Sequence, residues 1–441
     1  MKKYLIIIAA LMCHAYAIQA QDIIDPEGND EEDEEVVAAE DELTITDEQG
    51  NEEIIDFPEA MTYDLDSLMS LYMSKTYLSD DADCRTTAEN PTFDKQVYID
   101  RLRRLPTVIE MPYNEVVQQF IDRYSGRLRH SVSYMLGACN FYMPIFEEAL
   151  DAYGLPLELK YLPVIESALN PKAVSRVGAT GLWQFMLATG KQYGLEVTSL
   201  TDERRDPVKA SYAAAHYLKD LYKIFGDWSL VIASYNCGPE NINKAIHRAG
   251  GKKDYWQIYP YLPRETRGYV PAFIAANYIM TYYSAHGICP LRTKLPAKTD
   301  TVVVSRNVHL QQIATVLDLD LEMLRTLNPE YRLDIVPGLT KPSAIKLNVS
   351  DATRFIDLQD SIFNYNTAEL LTKRDEVDVN DAPTFVSKKK VRKGRKTTVR
   401  RKATAKRRSS RATRSSRKAT ARKSKARRTT KKSTSRKRRR R

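Results

Sequence analysis

Apolar positions along the chain change their period twice, and the changes divide it. Behind Pro112, residues Val116-Val117, Phe120-Ile121, Tyr124 and Leu128 recur at three-to-four spacing and predict a helix. A second helical run is expected over 143–153, closed by Gly154-Leu155-Pro156, a glycine that can adopt the left-handed cap followed by a proline that stops the helix. The plainest helix is 207–225. Asp206 stands at its cap and Pro207 in its first turn, while Tyr212, Ala215, Leu218, Leu221-Tyr222 and Phe225 form one stripe. Residues 228–232 and 270–283 read as buried helices, the second interrupted by Pro271 and Asn277. Residues 113–290 are therefore expected to fold as one mainly α domain.

Beyond Pro290 the period shortens. Strand-like 301–304 and 344–349 enclose helix-like 309–316 and 321–327, a βααβ arrangement that predicts a small module over 298–350. Ahead of the helical domain, 57–112 forms an N-terminal extension in which 63–72 and 98–105 carry enough apolar residues to pack.

Charge separates the ends from the middle. The 441 residues hold 67 Lys and Arg against 57 Asp and Glu, a net of +10. Thirty of those bases, and no acid, lie in 388–441; 17 of the acids, and no base, lie in 22–56. Residues 57–387 are nearly balanced, with 35 bases and 40 acids. The acidic segment 21–56 and the tail 375–441 are too hydrophilic and too uniformly charged to offset the entropy of ordering, so both are expected to be disordered. The first 20 residues read as an export signal. Lys2-Lys3 precede an apolar stretch, and Ala15-Tyr16-Ala17 and Ala20 offer small residues for cleavage. Cys13 raises the question of a lipid anchor, but Met12 stands where such a site wants Gly or Ala. No apolar run reaches the roughly 18 residues that span a bilayer. Export makes disulfides available to Cys84, Cys139, Cys237 and Cys289, whose three possible pairings the spacing does not distinguish. The six histidines are scattered and the cysteines form no C-x-x-C pair, so neither a metal nor a cofactor is expected.

Residues 155–189 carry the candidate chemistry. Glu166 ends a helical segment in apolar company, Leu162, Val164 and Ile165 before it and Ala168 and Leu169 after. Such a setting disfavours the carboxylate, and a carboxyl that stays protonated can donate to a leaving oxygen. Taken alone, an ordinary surface glutamate would look the same. Its surroundings distinguish it: Glu166-Ser167, then Gly181-Leu182-Trp183-Gln184-Phe185-Met186, then 202–207 reading DERRDP, then Tyr235-Asn236-Cys237-Gly238, then Arg264-Glu265-Thr266-Arg267 leading to Tyr269-Val270-Pro271.

In this order and spacing the five motifs resemble the lytic transglycosylase family with the goose-lysozyme-like fold. The resemblance implies a lysozyme-like helical catalytic domain with Glu166 as sole acid and base. It implies cleavage of the MurNAc–GlcNAc β-1,4 bond of peptidoglycan without water, leaving 1,6-anhydromuramoyl ends. Ser167, Gln184, Met186, Tyr235, Asn236 and Tyr269 are the implied substrate-binding residues. Asp202, Glu203 and Asp206 are better explained as a helix-start cluster. The chain departs from the family at Leu187, where proline is usual, and at Ser234, where alanine is usual. A lysozyme-type muramidase and a non-catalytic glycan-binding scaffold are the alternative readings.

Residues 301–349 resemble a LysM repeat, a module that binds N-acetylglucosamine-containing glycans. Here Asn307-Val308-His309-Leu310 replaces the usual Gly-Asp-Thr-Leu turn. The partners expected are thus peptidoglycan strands, and for the basic tail anionic envelope polymers or lipid head groups. Export argues against nucleic acid as the native partner. The expected location is the periplasm or cell envelope, with peripheral membrane association.

Overall fold

Several of the helices begin where short polar side chains accept the backbone N–H groups that a first turn leaves unpaired. The computed structural model describes residues 42–46, 52–62, 78–79, 84–293, 295–296, 298–371 and 376–379. The export signal, most of the acidic segment, 63–72 and the basic tail lie outside the described residues. The α-helices run α1 Lys95–Arg103, α2 Glu115–Ser125, α3 Arg129–Ala152, α4 Leu162–Ser167, α5 Leu187–Gln192, α6 Pro207–Phe225, α7 Trp228–Cys237, α8 Pro239–Arg248, α9 Tyr255–Ile258 and α10 Arg264–Tyr282. Asn114 caps α2 by accepting from Val117 N at 2.9 Å, and Asp227 caps α7 by accepting from Leu230 N at 2.9 Å. Asp206 caps α6 through Val208 N and Lys209 N, as its position suggests.

Two helices differ from the sequence expectation. The run anticipated over 143–153 is the last part of α3, a 24-residue helix that carries Pro144 inside it. Its N-terminal half is buried from Ser131 to Ala138, so packing extends the helix beyond what periodicity alone marks. Likewise α7 continues past Ile232 to Cys237, which places Tyr235 and Asn236 within the helix.

These helices share one core. Trp183, Tyr124, Phe120, Phe146 and Phe273 are among its largest fully buried side chains. Helix α10 is its axis, since its residues Gly268 to Met280 are all buried and it packs on α2, α4 and α7. The acidic segment contributes to this core, contrary to expectation. Strand β1 (Glu42–Thr46) pairs antiparallel with β2 (Glu52–Asp56), with Leu43 opposite Ile55. Ile55 is fully buried and Leu43 packs on the same core, so one face of the pair is apolar although the segment is acidic overall. A 3₁₀ turn, Glu59–Met61, follows and packs against α4. Short strands β3 (Leu78–Ser79) and β4 (Arg292–Thr293) pair antiparallel, and Cys84 is disulfide-bonded to Cys289. Cys139 and Cys237 are free.

The second part has a core of its own. Strand β5 (Thr299–Val304) pairs antiparallel with β8 (Ser343–Asn348), and β6 (Asn307–His309) with β7 (Ile335–Pro337). Helices α11 (Leu310–Leu317) and α12 (Leu321–Leu327) lie between them in sequence. The module does not stop at residue 350. Helix α13 (Val349–Asn364) follows β8 directly and buries Ala352, Phe355, Ile362 and Phe363 with Val308, Ile313, Leu317 and Ile345.

This module rests on the helical domain through backbone bonds and buried charge. Asp202 N donates to Glu330 O at 2.9 Å, and Arg332 N to Leu200 O at 2.7 Å. Lys346 Nζ, largely enclosed, lies 3.0 Å from Asp206 Oδ1 and 3.9 Å from Glu330 Oε1, both carboxylates being buried. Lys341 bonds Glu196 and lies 3.5 Å from Glu203.

Candidate active site

Helix α4 presents Glu166 because everything else on it is packed away. Leu162, Pro163, Val164, Ile165 and Ser167 are all buried, while Glu166 is half-buried. The helix is cut short by Ala168 (φ 47°) and Leu169 (φ 62°), two non-glycine residues in left-handed conformation. Such strain, of the order of 1 kcal/mol or more each, is tolerated only where the surroundings hold it. Here Leu169 N donates to Pro163 O at 3.2 Å, and both side chains are in the core.

Ser167, expected at the substrate, is wholly buried. Its hydroxyl lies 3.0 Å from Leu182 O and 3.1 Å from Pro163 O. It joins α4 to the Gly181–Met186 turn, away from the open surface. In that turn Thr180 bridges to Val174 on one side and Phe185 on the other. Gly181 sits at φ 88°, and a Cβ there would lie 1.9 Å from Arg204 O, so only glycine lets the two chains pass. Arg204 is buried, pairs with Asp202 at 2.8 Å and donates at 3.2 Å to both Gly178 O and Phe185 O. The DERRDP run thus buttresses the turn from beneath, in addition to starting α6. Gln184, also left-handed at φ 47°, donates to Gly181 O at 2.8 Å. Met186 is 40% exposed. Leu187 begins α5, the first-turn position where proline fits equally well, and buries its side chain there, so this departure leaves the geometry intact.

Three aromatic and amide groups come from α7 and α10, and one of them reaches the acid. Tyr269, 1% exposed, donates its hydroxyl to Glu166 Oε1. Tyr235 donates to Trp183 O at 2.7 Å, fixing α7 to the turn. Asn236 donates to Glu265 Oε1 at 3.0 Å and accepts from Thr266 Oγ1 at 2.8 Å, tying the end of α7 to the start of α10.

Burial is the largest influence on Glu166 and raises its carboxyl to about 8; the Tyr269 hydroxyl pulls it back down, and the charges of Glu265 and Glu59 push it up further. A carboxyl in that range keeps its proton at neutral pH and can act as general acid. Glu59 was not visible as a site residue in the sequence, since it lies outside the five motifs and next to a long acidic run; only the fold brings it to α4. Among the described residues there is no group of three or more His, Cys, Asp or Glu that could hold a metal ion.

The turn of the second module that replaces the usual glycan-contacting sequence has its side chains committed to backbone. His309 Nδ1 accepts from Gln311 N at 3.0 Å to cap α11, and Asn307 Oδ1 accepts from Leu339 N at 3.0 Å.

Comparison with known proteins agrees with this division. Residues 143–258 match the model of the transglycosylase SLT domain, and residues 298–363 that of the LysM-like domain of lytic transglycosylase MltD. The chain is 36% identical over 179 residues to membrane-bound lytic murein transglycosylase D of Escherichia coli K12, covering 40% of this chain and 39% of that one. It is 32% identical over 124 residues to the soluble lytic murein transglycosylase of the same strain, covering 27% and 19%. The chain therefore spans about two fifths of the length of the first of these relatives. Among solved structures, the 70 kDa soluble lytic transglycosylase SLT70 of E. coli aligns over 32% of this chain and 24% of its own, at 29% identity and a TM-score of 0.29. Residues 143–258 are thus a transglycosylase SLT domain, and residues 298–363 a LysM-like domain of the MltD kind.

Proposed function

We propose that the chain is a peptidoglycan lytic transglycosylase that cleaves the MurNAc–GlcNAc β-1,4 bond without water. One observation carries this reading. Glu166, in the SLT domain, has its carboxyl held by Tyr269 and raised to about 8 by burial. In the proposed reaction Glu166 gives its proton to the glycosidic oxygen as the bond to the MurNAc anomeric carbon breaks. The resulting carboxylate then takes the proton of the MurNAc C6 hydroxyl while O6 bonds to that carbon, closing the 1,6-anhydro ring. The acid is restored to its starting form, so one carboxyl serves both steps and no water enters.

The remaining residues take roles that their surroundings support. Gln184, Met186, Tyr235 and Asn236, which are half-buried or exposed, form the proposed substrate surface. Tyr269 orients the carboxyl, and the buried Ser167 holds α4 to the turn. The helical domain is read as lysozyme-like over 113–290 and the LysM-like module as an accessory glycan-binding unit. Residues 1–20 are read as an export signal, which places the protein in the periplasm or envelope. The basic residues of 388–441 would associate with anionic envelope polymers or lipid head groups. The similar lytic murein transglycosylase D of E. coli is membrane-bound. No helix among the described residues is long and apolar enough to cross a membrane.

Digestion of purified sacculi followed by mass spectrometry of the released muropeptides tests the proposal. Anhydromuramoyl ends, and their loss in Glu166→Gln to about a thousandth or less, are expected. Reducing ends would make the protein a lysozyme-type muramidase instead. No release by the wild-type chain would leave a glycan-binding scaffold.

A further inference from the structure

The segment 52–62 is built into the wall of the catalytic domain at several points. Asp56 Oδ1 pairs with Arg264 at 2.8 Å, and the chain runs so close to α10 that a Cβ on Gly268 would lie 2.6 Å from Asp56 O. Phe57 is buried edge-on against Phe120, with ring centroids 4.9 Å apart, and the Arg123 guanidinium stands 3.9 Å above the Phe57 ring. Arg123 also donates to Met61 O at 2.9 and 2.7 Å. Between these anchors the Glu59–Met61 turn lies on α4, the helix that carries Glu166. Glu59 Oε1 accepts the backbone N–H of Arg176 at 3.2 Å. Arg176 belongs to the 174–180 loop, where Ser175 N donates to Ala179 O at 2.9 Å and Val174 bridges to Thr180, directly before the Gly181–Met186 turn.

We propose that Glu59 is a positioning residue of the active site, which pins the 174–180 loop and, with Glu265, sets a further carboxylate beside the helix that carries Glu166. The inference rests on the function proposed for Glu166. It assigns a part in the reaction to a residue outside the SLT domain, in a segment that the sequence marks only as acidic. The groups facing Glu166 are Tyr269, Tyr235, Glu265 and Glu59. Those facing Glu59 are Arg176 and Glu265, besides Glu166. On the neighbouring 3₁₀ turn Leu157–Tyr161, Glu158 accepts from Ile109 N and Lys160 pairs with Glu147, so both are engaged elsewhere. Burial raises the Glu59 carboxyl, opposed by the Arg176 N–H and charge, and the surface that burial removes from water makes its charge act at longer range.

The sign is fixed by the roles. A general acid loses activity as pH rises through its pKa, and removing a like charge lowers that pKa. Glu59→Gln keeps an oxygen for the Arg176 N–H and removes only the charge. Its alkaline limb of muropeptide release should therefore move to lower pH by roughly half a unit to one unit, with the melting temperature in acid, near pH 4, unchanged. Glu59→Asp should keep the wild-type limb. An alkaline limb that superimposes on the wild type, or a loss that is equal at every pH, overturns the proposal. The same variants carry a readout that needs no catalysis: titration of the Glu166 carboxyl by NMR on the full chain with ¹³C-labelled glutamate, assigned with Glu166→Gln. If the wild type releases no muropeptide, the proposed activity fails; the inference about Glu59 then stands or falls on whether the titration midpoint drops in Glu59→Gln.

Discussion

At the residue scale, Glu166 stands in a place that costs the fold something. Its carboxyl is raised to about 8 in the folded chain and returns to about 4.3 when the chain unfolds. Below both values each state is protonated and the residue is neutral in its effect. Between them the unfolded chain gives up a proton that the folded chain keeps, so stability falls as pH rises and the full loss is reached above about 8. Glu166→Gln should therefore be inactive and more stable, by about 1–2 kcal/mol at pH 7 after allowing for the half-exposed carboxyl, with the gain vanishing near pH 4. Chemical denaturation of both proteins at the two pH values checks this; a variant equally or less stable at pH 7 would show that the carboxyl is not held protonated. The acid itself was legible in the sequence because its apolar neighbours and the five ordered motifs single it out. Its immediate controls were less so. Tyr269 lies about a hundred residues away, Glu59 about as far on the other side, and nothing local in the chain states that either reaches α4.

At the scale of elements, α6 was read to within a residue, since Asp206, Pro207 and an unbroken stripe all point one way. The outer strands of the βααβ order were also readable, and so were α11 and α12 to within a residue or two, but the short inner strands β6 and β7 were not. The pair β1–β2 was not. Over 42–56 six acids outnumber four apolar residues, and only the register Leu43 to Ile55 reveals a buried face. The DERRDP run shows the same limit: capping explains Asp206, but Asp202 and Arg204 work on a turn some twenty residues earlier, and Glu203 and Asp206 meet lysines more than a hundred residues later. That second set of contacts predicts that the two domains are coupled. Burial raises the Glu330 carboxyl while Lys346 draws it down, so the lysine is the group that makes this junction tolerable. Lys346→Met, which preserves the side chain's length and removes its charge, should destabilise the chain by about 3 kcal/mol at neutral pH by stranding Asp206 and Glu330. A change below about 1 kcal/mol in urea unfolding would mean that the contact behaves as a surface pair and the module is only tethered.

For the whole molecule, the net charge of +10 describes none of its parts. The proposed catalytic region and the LysM-like module lie in the nearly balanced 57–387, so glycan recognition there would fall to hydrogen bonds and ring faces, and the basic excess belongs to 388–441 alone. Cys84 and Cys289, 205 positions apart, are joined by a disulfide. The sequence left the pairing open because all three combinations span plausible distances along the chain; geometry selects one. Loss of this link should lower stability by about 4 kcal/mol, and unfolding under reductant against air measures it. In denaturant without reductant, Cys139 and Cys237 should react with a thiol reagent while Cys84 and Cys289 do not. The segment that carries Glu59 has a further consequence, for the order of assembly. It leaves the ribosome early, yet the surface it must meet on α10 is made more than two hundred residues later. The surroundings of Glu166 can then be completed only when nearly the whole helical domain has emerged, and folding should be slow for a mainly helical protein because its decisive contacts are so distant in sequence. A nascent chain would thus carry Glu166 early and complete the surroundings that raise its carboxyl late.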